Sequence, residues 1–90
     1  MQLTHHAQTR MQQRGIDQRV VSLLDCYGER QYDNHNGEIV FFNKRSKRLL
    51  RKSLDRSDFK VIEGKLDAYF VESQGIVVTV GHRYKKLHTN

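Results

Sequence analysis

Residues Gly75 to Lys86 read GIVVTVGHRYKK. The first half alternates, with Ile76, Val78 and Val80 on one face and Val77 and Thr79 on the other, which is the period of a buried sheet strand. The second half places an imidazole, a planar cation, a phenol and a further cation on consecutive positions, His82, Arg83, Tyr84 and Lys85. A rigid strand that delivers such groups at its exit can hold them against a ligand. The solvated basic end of a core strand would carry the same residue types.

Outward from this strand, LDAYFVE (Leu66 to Glu72) reads as its hairpin partner, joined through Ser73, Gln74 and Gly75. Leu66, Ala68 and Phe70 are expected toward the helices, with Tyr69 and Val71 opposite. If alternation persists past Val80, His82 and Tyr84 share one face while Thr79 and Arg83 share the other, and a bulge at Gly81 would change that pairing. Before this hairpin comes a basic stretch, Lys44 to Lys60, with eight basic and two acidic residues. Leu49, Leu50 and Leu54 fall at helical spacing and are expected to bury one side, leaving Arg45, Lys47, Arg48, Arg51 and Lys52 outward. Ser57 is a candidate cap for a short turn of helix carrying Phe59, Val61 and Ile62. A charge run of this kind is either a solvated face or a surface for phosphates.

Another hairpin precedes it, Glu29 to Asp33 and Glu38 to Phe42, around a loop from Asn34 to Gly37 in which Asn36-Gly37 signals positive φ. Asp33 to Glu38 is no calcium loop, because His35 stands where Asp or Asn is needed and the distal Glu is missing; His35 reads as a loop-tip residue. At the start, Thr4 caps a helix to about Gln13 with Leu3, Ala7 and Met11 as its buried stripe. His6, Arg10 and Arg14 recur at the same spacing along the adjoining flank, about 100° round the axis. Gly15 closes this helix, Ile16 acts as a staple, and Asp17 caps a second helix from Gln18 to Tyr27 that buries Val20, Val21, Leu24 and Tyr27, with Gly28 as its stop.

Ninety residues make one small domain, 1–90, and 16 Lys and Arg against 10 Asp and Glu give a net charge of +6. That charge favours polyanionic partners, nucleic acid or an acidic protein. The lone Cys26 forms no internal disulfide and has no metal-ligand spacing to any His, so no metal and no cofactor are expected. The N-terminus carries no apolar run of signal-peptide length and no segment could span a membrane, so the expectation is a soluble, cytoplasmic protein without a membrane partner. The order of periodicities implies an α+β fold: two N-terminal helices packed on an antiparallel sheet of about four strands, with helix inserted between two hairpins.

Two segments together, THHAQTRMQQRGI and GIVVTVGHRYKKL, resemble domain of unknown function 4258, a set of small bacterial and phage proteins similar to RelE-type toxins within the metal-independent ribonuclease folds. The pattern falls on His6, Ala7, Arg10, Arg14, Gly15 and Ile16, then on Thr79, His82, Arg83 and Tyr84. The resemblance implies a RelE-like fold and a toxin-like protein that binds or cleaves RNA, commonly neutralised by an acidic antitoxin. RNA carries its own nucleophile, so a protein that deprotonates the 2'-hydroxyl, stabilises the phosphorane and protonates the leaving oxygen needs no metal. For those roles the chain offers His6 and His82 as base and acid, Arg10, Arg83 and Lys85 for the phosphate, and Tyr84 for stacking or proton donation. Arg14, Arg45, Lys47, Arg48, Arg51, Lys52, Lys85 and Lys86 are the expected nucleic-acid contacts. No Asp or Glu adjoins either His in sequence to orient it. A non-catalytic nucleic-acid-binding or protein-interaction module would use the same basic surface.

Overall fold

The computed structural model describes residues 1–32 and 36–83. Tyr84, Lys85 and Lys86, and His35 with the two residues before it, lie outside them. The chain runs β1 (Gln2–Leu3), α1 (His5–Arg14), α2 (Gln18–Tyr27), β2 (Glu29–Tyr32), β3 (Glu38–Phe41), α3 (Lys44–Ser53), α4 (Arg56–Glu63), β4 (Ala68–Ser73) and β5 (Ile76–His82). Over the described residues the fold is α+β, with four helices and a five-stranded mixed sheet in the order β1-β5-β4-β3-β2. The expected four-stranded antiparallel sheet is therefore corrected at one edge. Gln2 and Leu3 pair in parallel with Ile76 and Val77, so Leu3 lies in a strand rather than extending the stripe of the first helix. Two residues are too short to show a period of two.

Caps fix both N-terminal helices. Thr4 accepts from the Ala7 amide and its own hydroxyl donates to the Val78 carbonyl at 3.2 Å, so one side chain starts α1 and moors it to β5. At the other end Gly15 takes φ 65°, the Ile16 amide donates to the Met11 carbonyl and the Gly15 amide to that of Gln12. This double closure needs a left-handed residue, which Gly adopts without a Cβ penalty. It turns Ile16 into the core, where it is 2% exposed. Asp17 then caps α2, Asn43 caps α3, and Asp55 caps α4 by accepting from the Asp58 amide at 2.8 Å. Asp55 takes the place expected of Ser57.

All four helices bury their apolar residues on one face of the sheet. Ala7, Val20, Val21, Leu24, Leu50 and Ile62 meet Val40, Ala68, Phe70, Val77 and Val80 there. Leu49, expected inside, is 39% exposed, because the buried side of α3 is narrowed to Leu50 and Ser46. On β5 the expected alternation breaks. Val71 pairs with Thr79 but Glu72 pairs with Val77, so Val78 is an extra residue and the strand bulges there. The bulge lets Val77 and Val80, three apart, both face the core, whereas Ile76 and Val78 stay half-buried. Beyond it the alternation resumes, with His82 opposite Ala68 on the helix side.

Arg30 closes the far end of the helix-side face. Its guanidinium donates to Asp25 at 2.6 Å, Glu72 at 2.7 Å and Glu38 at 3.2 Å. Burial alone lowers its pKa. The hydrogen bonds to Glu72 and Glu38 and the charges of Glu72 and Asp25 outweigh that and hold it above its ordinary value. This cation is consumed internally, so the outward positive charge gathers elsewhere.

Candidate nucleic-acid interface

His82 sits at the end of β5, where three elements meet. Its Nδ1 lies 2.8 Å from Asp67 Oδ1 and its Nε2 lies 3.0 Å from the Arg14 carbonyl oxygen. A carbonyl only accepts, so Nε2 carries a proton in this arrangement. If Nδ1 donates as well, the ring is an imidazolium held between a carboxylate and the negative end of α1. The side chain is 13% exposed. His82 thus ties the C-terminus of α1 to the turn before β4 in the folded protein.

Arg83 points to the opposite face. Its amide donates to the Asp67 carbonyl at 2.6 Å, and its guanidinium stacks on the Phe41 ring with Cζ 4.0 Å from the centroid. Beside it lies a cleft of about 190 Å³ lined by Phe42, Lys47, Leu66, Asp67 and Arg83. Lys47 comes from α3 and Arg83 from the exit of β5, so two cations that are 36 positions apart in sequence face one concavity. On the outward side of α3, Arg45, Arg48, Arg51 and Lys52 line an open groove of about 510 Å³ around Leu49. Arg51 also lies over the Phe59 ring of α4, at 5.6 Å.

The expected catalytic set does not gather in one place. His6 is exposed in the first turn of α1, while Arg14, whose carbonyl meets His82, is in the last. Eight residues of helix separate them by about 12 Å. Because Thr4 is moored beside Val78 and Arg14 beside His82, α1 runs along β5 and keeps His6 at the far end. Arg10 is half-buried, and its Nε is buried without a hydrogen-bond partner. Arg14 contributes its backbone to His82, and its side chain is exposed. Tyr84, Lys85 and Lys86 lie outside the described residues.

Asp67 is absent from the site residues expected of the sequence, yet it is the group that orients His82. Its signal is in the hairpin: counting back from the Gln74-Gly75 turn brings Asp67 opposite the His82–Arg83 end of the partner strand. Among the described residues no three His, Cys, Asp or Glu side chains are grouped to hold a metal ion, and no helix is long and apolar enough to cross a membrane. The chain matches no protein-family model, and neither the curated proteins nor the solved structures yield a match.

Proposed function

We propose that this protein binds single-stranded RNA, as a toxin-like RNA-binding protein whose positive side holds the phosphates. The observation that carries the reading is the convergence of Lys47 and Arg83 on one cleft beside the outward cations of α3. Elements distant in sequence present charge in one region, which a merely solvated helix does not require. The RelE-like assignment is part of the proposal and rests on the two terminal motifs. An acidic protein partner such as an antitoxin would compete for the same cations. The test is a fluorescence-anisotropy titration of a labelled RNA 12-mer with the parent protein and with Lys47→Glu. Clear weakening by the charge reversal supports the reading, and equal binding by both removes the cleft from it.

A second reading, metal-independent RNA cleavage, is favoured by the Asp67–His82 pair, which resembles the carboxylate-oriented imidazole of acid–base catalysis. On that reading the Nε2 bond to Arg14 breaks when RNA binds, because an engaged nitrogen cannot exchange a proton with the substrate. Incubation with RNA in EDTA, followed by analysis of the ends, decides it. New 2',3'-cyclic ends that disappear in His82→Gln support cleavage, and intact RNA leaves the binding function alone.

A further inference from the structure

The sheet has a second face that the helices leave uncovered. By register, Ile39, Val71 and Thr79 form one row across it and Phe41, Tyr69 and Gly81 the next. None of these belongs to the core cluster. Among the described residues the exposed large hydrophobics, Met1, Tyr32, Leu49 and Val61, all lie elsewhere. On this face Phe41 is buried, 7% exposed, beneath the Arg83 guanidinium, so what the face offers is that guanidinium and the half-buried ring of Tyr69.

Tyr69 lies down on Gly81. A Cβ at position 81 would stand 3.0 Å from Cε1, 3.1 Å from the hydroxyl oxygen and 3.2 Å from Cζ of that ring. Only a residue without a side chain lets the ring settle this close to the strand, and Gly81 is buried as a result. A ring held against the strand loses little conformational freedom when something stacks on it. Its neighbour Arg83 presents a second flat surface of the kind that stacks on bases, and Arg83 also lines the cationic cleft with Lys47.

We propose that this open face is a stacking platform for the unpaired bases of single-stranded RNA, with Tyr69 as the residue on which a base rests. The proposal deepens the RNA-binding reading and depends on it. The cations suit any polyanion, and the ring beside them selects one that carries planar bases: a base stacks on Tyr69 while its phosphates meet Arg83 and Lys47 at the rim. Stacking on a π-face tolerates any base, so the platform discriminates single strands from duplexes rather than one sequence from another.

The experiment measures anisotropy of a labelled single-stranded RNA, its duplex and an abasic version, with the parent protein, Tyr69→Phe and Tyr69→Leu. The phenylalanine variant keeps the ring and is expected to bind within about twofold of the parent. Leucine fills the space without a π-face and is expected to weaken binding about tenfold, with the salt dependence unchanged because every phosphate stays held. The abasic strand should bind the parent more weakly by a similar factor, which keeps the test open if the leucine variant folds poorly. Equal binding of parent and Tyr69→Leu, of abasic and intact RNA, or of duplex and single strand overturns the platform while leaving RNA binding intact. If poly-glutamate binding weakens equally with Tyr69→Leu, the face is a general docking surface and the platform fails. Absence of any RNA binding by the parent overturns both.

Discussion

His82 and Asp67, fifteen positions apart, face each other at 2.8 Å between Nδ1 and Oδ1, and the other ring nitrogen is spent on the Arg14 carbonyl. In the folded protein the imidazole is thus a structural tie between β5, the turn before β4 and the end of α1. Removing it leaves a half-buried carboxylate and a helix-terminal carbonyl without that donor. His82→Gln is expected to destabilise the fold by about 1–3 kcal/mol, lowering the melting midpoint by about 4–8 °C per kcal/mol for a domain of this size. RNA affinity should remain within about twofold, since His82 is not among the residues that line the cleft. A variant as stable as the parent would remove the tie from the account.

Arg30 tests a different kind of tie. With Asp25, Glu38 and Glu72 around it, Arg30→Gln leaves three carboxylates close together without their shared cation. The expected loss is about 1–2 kcal/mol, part of which should return at high salt. The raised pKa of Arg30 fixes the pH dependence. A group raised in the folded state contributes its full stabilisation below its unfolded pKa and loses it only as pH rises through the higher folded value, far above the working range. The penalty measured in urea at pH 7 and at pH 10 should therefore be the same; a penalty that vanishes by pH 10 would contradict this.

The β4–β5 turn is open to improvement. Gln74 and Gly75 both take positive φ, 53° and 79°, as a two-residue type I' connection requires. Gln is poorly suited to that conformation and Asn adopts it readily. Gln74→Asn should stabilise the protein by up to about 1 kcal/mol, seen as a higher urea midpoint with an unchanged slope. A lower midpoint would show that the turn is held by something other than its backbone preference.

Much of this architecture is legible in the chain because local chemistry decides it. Thr4, Gly15 and Asp17 punctuate α1 and α2, and the apolar residues of α2 keep the helical period, so both helices lie close to where the sequence puts them. What escapes are the features set by pairing. The bulge at Val78 depends on how β5 meets β4, and five consecutive β-branched residues give no local sign of it. β1 exists only because β5 offers an edge beside Thr4. The candidate site divides in the same way. Arg83 and Lys47 are visible as cations, but their shared cleft and the role of Asp67 come from the hairpin register. The convergence expected of His6 and His82 fails because α1 lies along β5 rather than across its end.

The outward face of α3 separates phosphate binding from simple solvation. Reversing Arg48 and Arg51 together should weaken RNA binding and reduce the magnitude of the log-log salt slope by about 0.7 for each phosphate no longer neutralised. Thermal stability should fall by no more than the exposed Arg51–Phe59 contact contributes, about 0.5–1 kcal/mol, because both side chains are exposed. Unchanged affinity and slope would assign this helix to solvent and leave the cleft as the interface.

The measurement that bears most directly on RNA binding is the salt dependence of affinity for the cleft pair. Dissociation constants for a labelled single-stranded RNA would be taken between 50 and about 200 mM salt, the range over which phosphate contacts are resolved, with the parent and with Lys47→Gln combined with Arg83→Gln. Phosphate binding by Lys47 and Arg83 gives a linear log-log plot for the parent and a slope smaller in magnitude by about 1.4 for the double variant, two phosphates at about 0.7 each. Identical slopes in the two proteins, or a parent whose affinity is indifferent to salt, would contradict it.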